Sequence, residues 1–363
     1  MAQIPPPDSI SLLGPPILNA WTWNPVEPRG VPRVLARGVQ RVSGNLPKPP
    51  NVLEDQLMDR ILVPLDGSEF SETALPTAGA LAKRFGARLH LASVVSDLPP
   101  VPLAAGDGEL ITRWFEEEES RAGTYLEGVR SRISESGVDV DVHVKSGPVA
   151  RTVDALATEK GVGLVVLTTH GRGSWQRAWL GSVADSLIRR SGTPLLLLRE
   201  QDAAGGWEGG IPRKVVVPLD GSEEAEVAVA AVRPVLEPGV TQVELVMVIH
   251  EPFPLATTYL PHAVSEGTML EARKERANEY LGKVEASLKA DGIHATGHVL
   301  VASDAGRGVL AHLEDAGADL IAIATRGRGG AARLVLGSVA DKVIRGAKAP
   351  ILVARRPEGE DEG

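Results

Sequence analysis

The chain has 363 residues, of which 43% are hydrophobic and 23% charged, a composition within the range of ordinary globular proteins and a length that suits two or three domains. The absence of cysteine excludes disulfides, thiolate metal sites and a cysteine nucleophile, and it fits a reducing, cytoplasmic location. A net charge of −9 with dispersed acidic residues offers no broad positive surface to nucleic acid, and neither a long apolar run nor a secretory leader pattern points to a membrane.

Residues 1–57 contain Pro5, Pro6, Pro7, Pro15, Pro16, Pro25, Pro28, Pro32, Pro47, Pro49 and Pro50, and show no sustained period of two or 3.6 residues. They read as a disordered extension, with Trp21 and Trp23 as its docking groups if it docks at all. Met58 directly precedes the first apolar strand, so a native start at Met58 is one expectation, and an intact mass that includes residues 1–57 refutes it.

From residue 60 onward, short apolar runs alternate with longer helical-period segments, the pattern of a parallel sheet covered by helices. The first such region, 58–200, is expected to hold strands at 60–65, 88–95, 138–145, 163–169 and 194–199, and helices at 69–85, 108–136, 148–160 and 181–191. The runs Arg88–Val95 and Gly163–Leu167 are apolar enough to be central strands buried on both faces. Residues 201–211 include four glycines and read as a flexible joint. The second region, 212–356, has expected strands near 213–219, 242–249, 295–301, 318–325 and 350–354. Its long helix, 264–290, offers Met269, Leu270, Tyr280, Leu281, Val284 and Leu288 as an inner stripe. An acidic tail, 357–363, closes the chain.

The two regions are copies. Ile61-Leu-Val-Pro-Leu-Asp-Gly-Ser-Glu69 returns as Val215-Val-Val-Pro-Leu-Asp-Gly-Ser-Glu223, and Gly171 followed after nine residues by Gly181-Ser182 returns as Gly327, nine residues, then Gly337-Ser338. In each first element an apolar strand passes through Pro64 or Pro218 and stops at Asp66 or Asp220. A Gly follows, then a Ser able to cap a helix. A carboxylate at the carboxyl end of a central strand can accept hydrogen bonds from a sugar hydroxyl or an adenine amino group. The competing reading is that Asp merely closes the turn.

The second element begins at the end of the fourth strand, with Thr168-Thr-His-Gly-Arg-Gly173 and Ala324-Thr-Arg-Gly-Arg-Gly329, and leads into a helix opened by Gly181-Ser-Val-Ala-Asp185 or Gly337-Ser-Val-Ala-Asp341. Glycines let an anion approach the backbone, and first-turn amides with the helix dipole suit a phosphate. Ser-x-x-Asp is equally a capping box serving only the helix end. Between the glycines the copies differ: Trp175 and Trp179 correspond to Ala331 and Val335. Arg172, Arg177, Arg328 and Arg333 are candidate triphosphate contacts, with solvated surface charge as the plainer role, and His170 reads as a turn residue.

These elements resemble the universal stress protein family over about 58–200 and 212–356. The resemblance implies two tandem doubly wound α/β domains, each a five-stranded parallel sheet in order 3-2-1-4-5 with helices on both faces. It further implies a site for ATP in members with the full Gly-x2-Gly-x9-Gly-Ser/Thr signature. Carried over by position, Asp66 and Val94 serve adenine and ribose, while Gly171, Gly181, Ser182 and Val183 hold phosphates, with Mg²⁺ held only through those phosphates. The second copy offers Asp220, Val248, Gly327, Gly337, Ser338 and Val339. The first signature glycine is replaced by Thr168 in one copy and Ala324 in the other, which crowds the turn.

The family also implies that the last strands, Pro194–Leu198 and Pro350–Ala354, pair edge to edge as an intramolecular pseudo-dimer, and the sequence leaves open whether such pseudo-dimers form a further homodimer. Linkage in one chain holds such an interface closed at an effective concentration of about millimolar. No Walker loop, dinucleotide fingerprint or Gly-x-Ser-x-Gly hydrolase motif is present, and no His pair has metal-ligand spacing. The expectation is a nucleotide-binding regulator with no catalytic residues and no protein-held metal. The alternatives are a nucleotide-free adaptor and a slow ATPase.

Overall fold

The computed structural model describes residues 58–97, 108–169, 180–199, 207–251, 266–325 and 336–356. The Pro-rich extension and the acidic tail fall outside them, as do Trp21 and Trp23.

In the first half the order is β1 (Arg60–Pro64), α1 (Glu69–Glu72), α2 (Leu75–Phe85), β2 (Arg88–Val95), α3 (Gly108–Ser134), β3 (Val140–Ser146), α4 (Val149–Lys160), β4 (Leu164–Thr168), α5 (Ser182–Arg190) and β5 (Leu195–Leu198). The second half repeats it with β6 (Lys214–Pro218), α6 (Glu223–Val232), β7 (Gln242–His250), α7 (Glu266–Ala290), β8 (His294–Ala302), α8 (Ala305–Ala316), β9 (Leu320–Ala324), α9 (Ser338–Gly346) and β10 (Ile351–Ala354).

Ten strands form one sheet in the order β3-β2-β1-β4-β5-β10-β9-β6-β7-β8, so each half has the 3-2-1-4-5 order. Within a half all pairings are parallel. The halves meet through β5 and β10, which run antiparallel with Leu197 opposite Ile351, Leu196 opposite Leu352 and Leu195 opposite Val353. All eight residues of these two strands are buried. The seam removes two apolar edges that would otherwise recruit another chain.

Strand alternation divides the core into two layers. Ile61, Val63, Leu89 and Leu91 with Val215, Val217, Val243 and Leu245 face one helical layer. Leu62, Ala92, Val165 and Leu167 with Val216, Val246, Ile321 and Ile323 face the other. Both layers are continuous across the halves, and each fully buried aliphatic side chain contributes about 1.5–3 kcal/mol of transfer free energy.

Three local expectations are revised. The single helix expected at 69–85 is two: α1 ends at Glu72 with Thr73 as its C-cap, and α2 begins at Leu75 with Pro76 in its first turn. Proline has no amide hydrogen and its ring collides with the carbonyl four residues back, so a continuous helix is excluded there. Along α7 the inner stripe is Ala277, Leu281, Val284 and Leu288, whereas Met269 is exposed. The end of the glycine-rich joint is packed: Trp207 is buried and its indole N–H donates to the Asp319 carbonyl at 3.2 Å. Gly210, with φ 76°, lies against Ala80, where a Cβ would sit 3.2 Å from the Ala80 carbonyl.

Candidate functional site

Each first strand ends in the same turn. Oδ1 of Asp66 accepts the Ser68 amide at 3.0 Å and the Ser68 hydroxyl at 2.5 Å, and Oδ1 of Asp220 accepts the same groups of Ser222 at the same distances. Gly67 and Gly221 adopt φ 76° and 81°, a conformation that strains any residue with a Cβ. Ser68 and Ser222 then cap α1 and α6, accepting the amides of Ser71 and Ala225 at 3.1 and 3.2 Å. Asp66 is exposed and Asp220 half-buried. Turn closure is therefore one role of both aspartates, carried by Oδ1.

The neighbouring strands bring their ends to the same edge. Leu65 donates to the Ala92 carbonyl at 2.7 Å, and Leu219 to the Val246 carbonyl at 2.8 Å, so each Asp follows a residue tied to the second strand two positions before Val94 or Val248. Val94 and Val248 are half-buried. Leu62 pairs with Val165, and Asp66 and Thr169 each lie four residues beyond that pair.

At the end of β4 the Thr169 carbonyl accepts the Gly181 amide at 2.7 Å, and at the end of β9 the Thr325 carbonyl accepts the Gly337 amide at 2.9 Å. These bonds fasten the start of α5 and α9 to the sheet edge. The first intrahelical bonds are Asp185 to Gly181 and Asp341 to Gly337, which leave the amides of Ser182, Val183 and Ala184, and of Ser338, Val339 and Ala340, without helical acceptors.

The capping box, the competing reading of Ser-x-x-Asp, does not form among the described residues. Gly181 and Gly337 occupy the cap position, no side chain caps either helix, and Asp185 and Asp341 instead pair with Arg189 and Arg345 at 2.9 Å. Ser182 and Ser338 are exposed and their hydroxyls bond to none of the described residues.

The two edges differ at the fourth strand, where Thr168 is half-buried and Ala324 is buried. Pro64 and Pro218 end β1 and β6 and are half-buried. Gly171, Gly327, His170, Trp175, Trp179, Arg172, Arg177, Arg328 and Arg333 lie outside the described residues.

A second cluster was not anticipated from spacing. Glu244 on β7, His298 on β8 and His312 on α8 bring one donor atom each within 4.8 Å of one another. These residues are far apart in sequence and belong to three elements, so only strand register and helix packing unite them. The usable signal was the repeat: His298 and His143 occupy matching places on the third strand, opposite Val246 and Ala92.

The universal stress protein family model matches residues 58–199 and 212–355. The chain belongs to the universal stress protein family. A universal stress protein of Mycobacterium tuberculosis strain H37Rv is 29% identical over 302 residues, covering 82% of this chain and 97% of that protein, so the tandem arrangement extends along both. A universal stress protein of Methanocaldococcus jannaschii is 33% identical over 147 residues, 40% of this chain and 85% of its own length. The crystal structure of a universal stress protein from Archaeoglobus fulgidus superimposes with a TM-score of 0.62 at 20% identity, over 85% of this chain and all of that one. The fold is thus that of tandem universal stress proteins. Among the described residues no helix is long and apolar enough to cross a membrane.

Proposed function

We propose that this tandem universal stress protein binds ATP or a related adenine nucleotide at the carboxyl edge of each half-sheet and acts as a cytoplasmic stress-response regulator, its conformation or partners changing with occupancy. Asp66 and Val94, with Asp220 and Val248, take the adenosine side. Gly171, Gly181, Ser182 and Val183, with Gly327, Gly337, Ser338 and Val339, take the phosphates, and any Mg²⁺ is held through phosphate oxygens.

The observation that carries this reading is the uncapped helix start. In both halves a threonine carbonyl holds the cap glycine, the first-turn amides lack helical acceptors, and the adjacent serine is exposed with its hydroxyl bonded to none of the described residues. A phosphate satisfies all of these donors at once and gains from the positive end of the helix dipole.

Thr168 and Ala324, where the family signature has glycine, favour a second reading in which one or both sites have decayed and the protein is a nucleotide-free adaptor. Crowding differs between the halves, so unequal occupancy is part of the proposal. Denaturing the purified full chain and identifying released nucleotide by mass, counted per chain, separates the readings. One or two adenine nucleotides support the regulator, and none supports the adaptor.

A further inference from the structure

We propose that the second half carries a binding site for a divalent transition-metal ion, with Glu244, His298 and His312 as its protein ligands. Oε2 of Glu244 stands 2.6 Å from Nε2 of His312 and 3.9 Å from Nε2 of His298, and the two rings lie 4.9 Å apart between centroids. One carboxylate oxygen therefore bonds one imidazole and faces a second, the two rings converging from a helix and a strand.

The surroundings suit an ion that keeps an open position. His312 and Glu244 are mostly buried, with side-chain exposures of 15% and 18%, whereas His298 is 36% exposed and leaves a path from solvent. Tetrahedral zinc with ligands at about 2.0–2.1 Å needs donor atoms about 3.4 Å apart, so Glu244 and His312 must open from 2.6 Å and His298 must draw in from 3.9 Å to Glu244, each by less than about 1 Å. Three protein ligands and one water is the arrangement of an accessible zinc site. Two imidazoles select zinc or cobalt over magnesium and calcium, which prefer all-oxygen shells.

Lys214 is the competing cation. Its amino group is 3.6 Å from Oε1 of Glu244, on the other carboxylate oxygen, and donates to the Ala316 carbonyl at 2.8 Å. It orients the carboxylate without occupying Oε2. The first half serves as an internal control: His90 and His143 hold the corresponding strand positions and bond to each other at 2.9 Å, α4 carries Leu156 where α8 carries His312, and Asp141 Oδ2 stands 3.9 Å from Nδ1 of His90, the nitrogen already engaged by His143. Among the described residues this three-ligand cluster occurs in the second half alone.

Full-length protein stripped by chelator and titrated with Zn²⁺ by calorimetry, with Co²⁺ absorption in parallel, tests the assignment. The expected result is one saturable ion per chain, a tetrahedral cobalt spectrum, and affinity reduced ten-fold or more by His312→Ala and by the half-exposed His298→Ala. His143→Ala should bind as the parent does, and far-UV circular dichroism confirms that each variant is folded. Absence of saturable binding up to about 0.1 mM metal overturns the proposal, as does an affinity unchanged by both His298→Ala and His312→Ala.

Discussion

Arg84 of the first half donates to Glu237 of the second at 2.9 Å, and the same guanidinium also serves three carbonyls of the second half and its linker: Val235 at 2.8 Å, Leu236 at 2.9 Å and Gly210 at 3.2 Å. One forked side chain on α2 thus closes the linker turn and the segment after α6. Lysine cannot reproduce the fork, because its single ammonium lacks the planar donor array.

Replacing Arg84 by Ala should destabilise the chain by about 2–4 kcal/mol, since it leaves partly buried carbonyls unpaired. Arg84→Lys should recover less than half of the loss. Glu237→Gln should cost about 1 kcal/mol or less, because that carboxylate is 40% exposed and solvent screens it. Urea unfolding of the three variants checks the ranking. A Glu237→Gln loss equal to that of Arg84→Ala would show that the ion pair, and not the carbonyls, dominates.

The seam between halves should behave as core. Leu196 and Leu352 face each other across β5 and β10 at 1% and 2% exposure. Leu352→Ala is expected to cost about 2–5 kcal/mol, and Leu196→Ala the same. If the halves unfold as one unit, both variants shift a single transition; separate transitions for the halves would show that the seam does not couple them.

Most of the fold was legible because each element is specified locally. The β-strand runs are apolar and bounded by Gly, Pro or Asp, and the duplicated Pro-Leu-Asp-Gly-Ser-Glu located β1 and β6 twice over. What escaped was set by neighbours. Pro76 splits the first helix, and Met269 on α7 is exposed where the periodic pattern placed it inward. The Ser182 and Asp185 pair spells a capping box, yet Gly181 caps and Asp185 turns to Arg189. The metal cluster joins residues on β7, β8 and α8 that no local spacing relates.

His90 should make the first half acid-sensitive. Burial, reinforced by the neighbouring His143, lowers its pKa from 6.5 to about 4, and its Nε2 is buried without a hydrogen-bond partner. Asp141 opposes the shift, while Arg60 and Arg88 add to it. Between those two values the unfolded chain binds more protons than the folded one, so the contribution is complete above pH 6.5 and is lost as pH falls toward 4. The loss amounts to about 3 kcal/mol at most. His90→Leu should flatten the fall in urea midpoint over this range, and an unchanged pH dependence contradicts the assignment.

The serine caps give a smaller and separable effect. Ser68→Ala removes the acceptor for the Ser71 amide and a donor to Asp66, and should cost about 1 kcal/mol in urea unfolding. Ser182→Ala, which breaks no bond among the described residues, should leave stability within about 0.5 kcal/mol while weakening nucleotide binding. Equal losses of stability would mean that Ser182 has a structural role.

Equilibrium binding of labelled ATP to the full chain, beside a Gly181→Val and Gly337→Val double variant, bears most directly on the proposed function. Both glycines have ordinary helical-cap angles, φ −65° and −61°, so valine obstructs the helix start without forcing a strained backbone. Saturable binding by the parent chain that disappears in the folded double variant is the predicted result. No saturation of the parent up to about millimolar ATP, or binding untouched by the double substitution, would contradict nucleotide recognition at these helix starts.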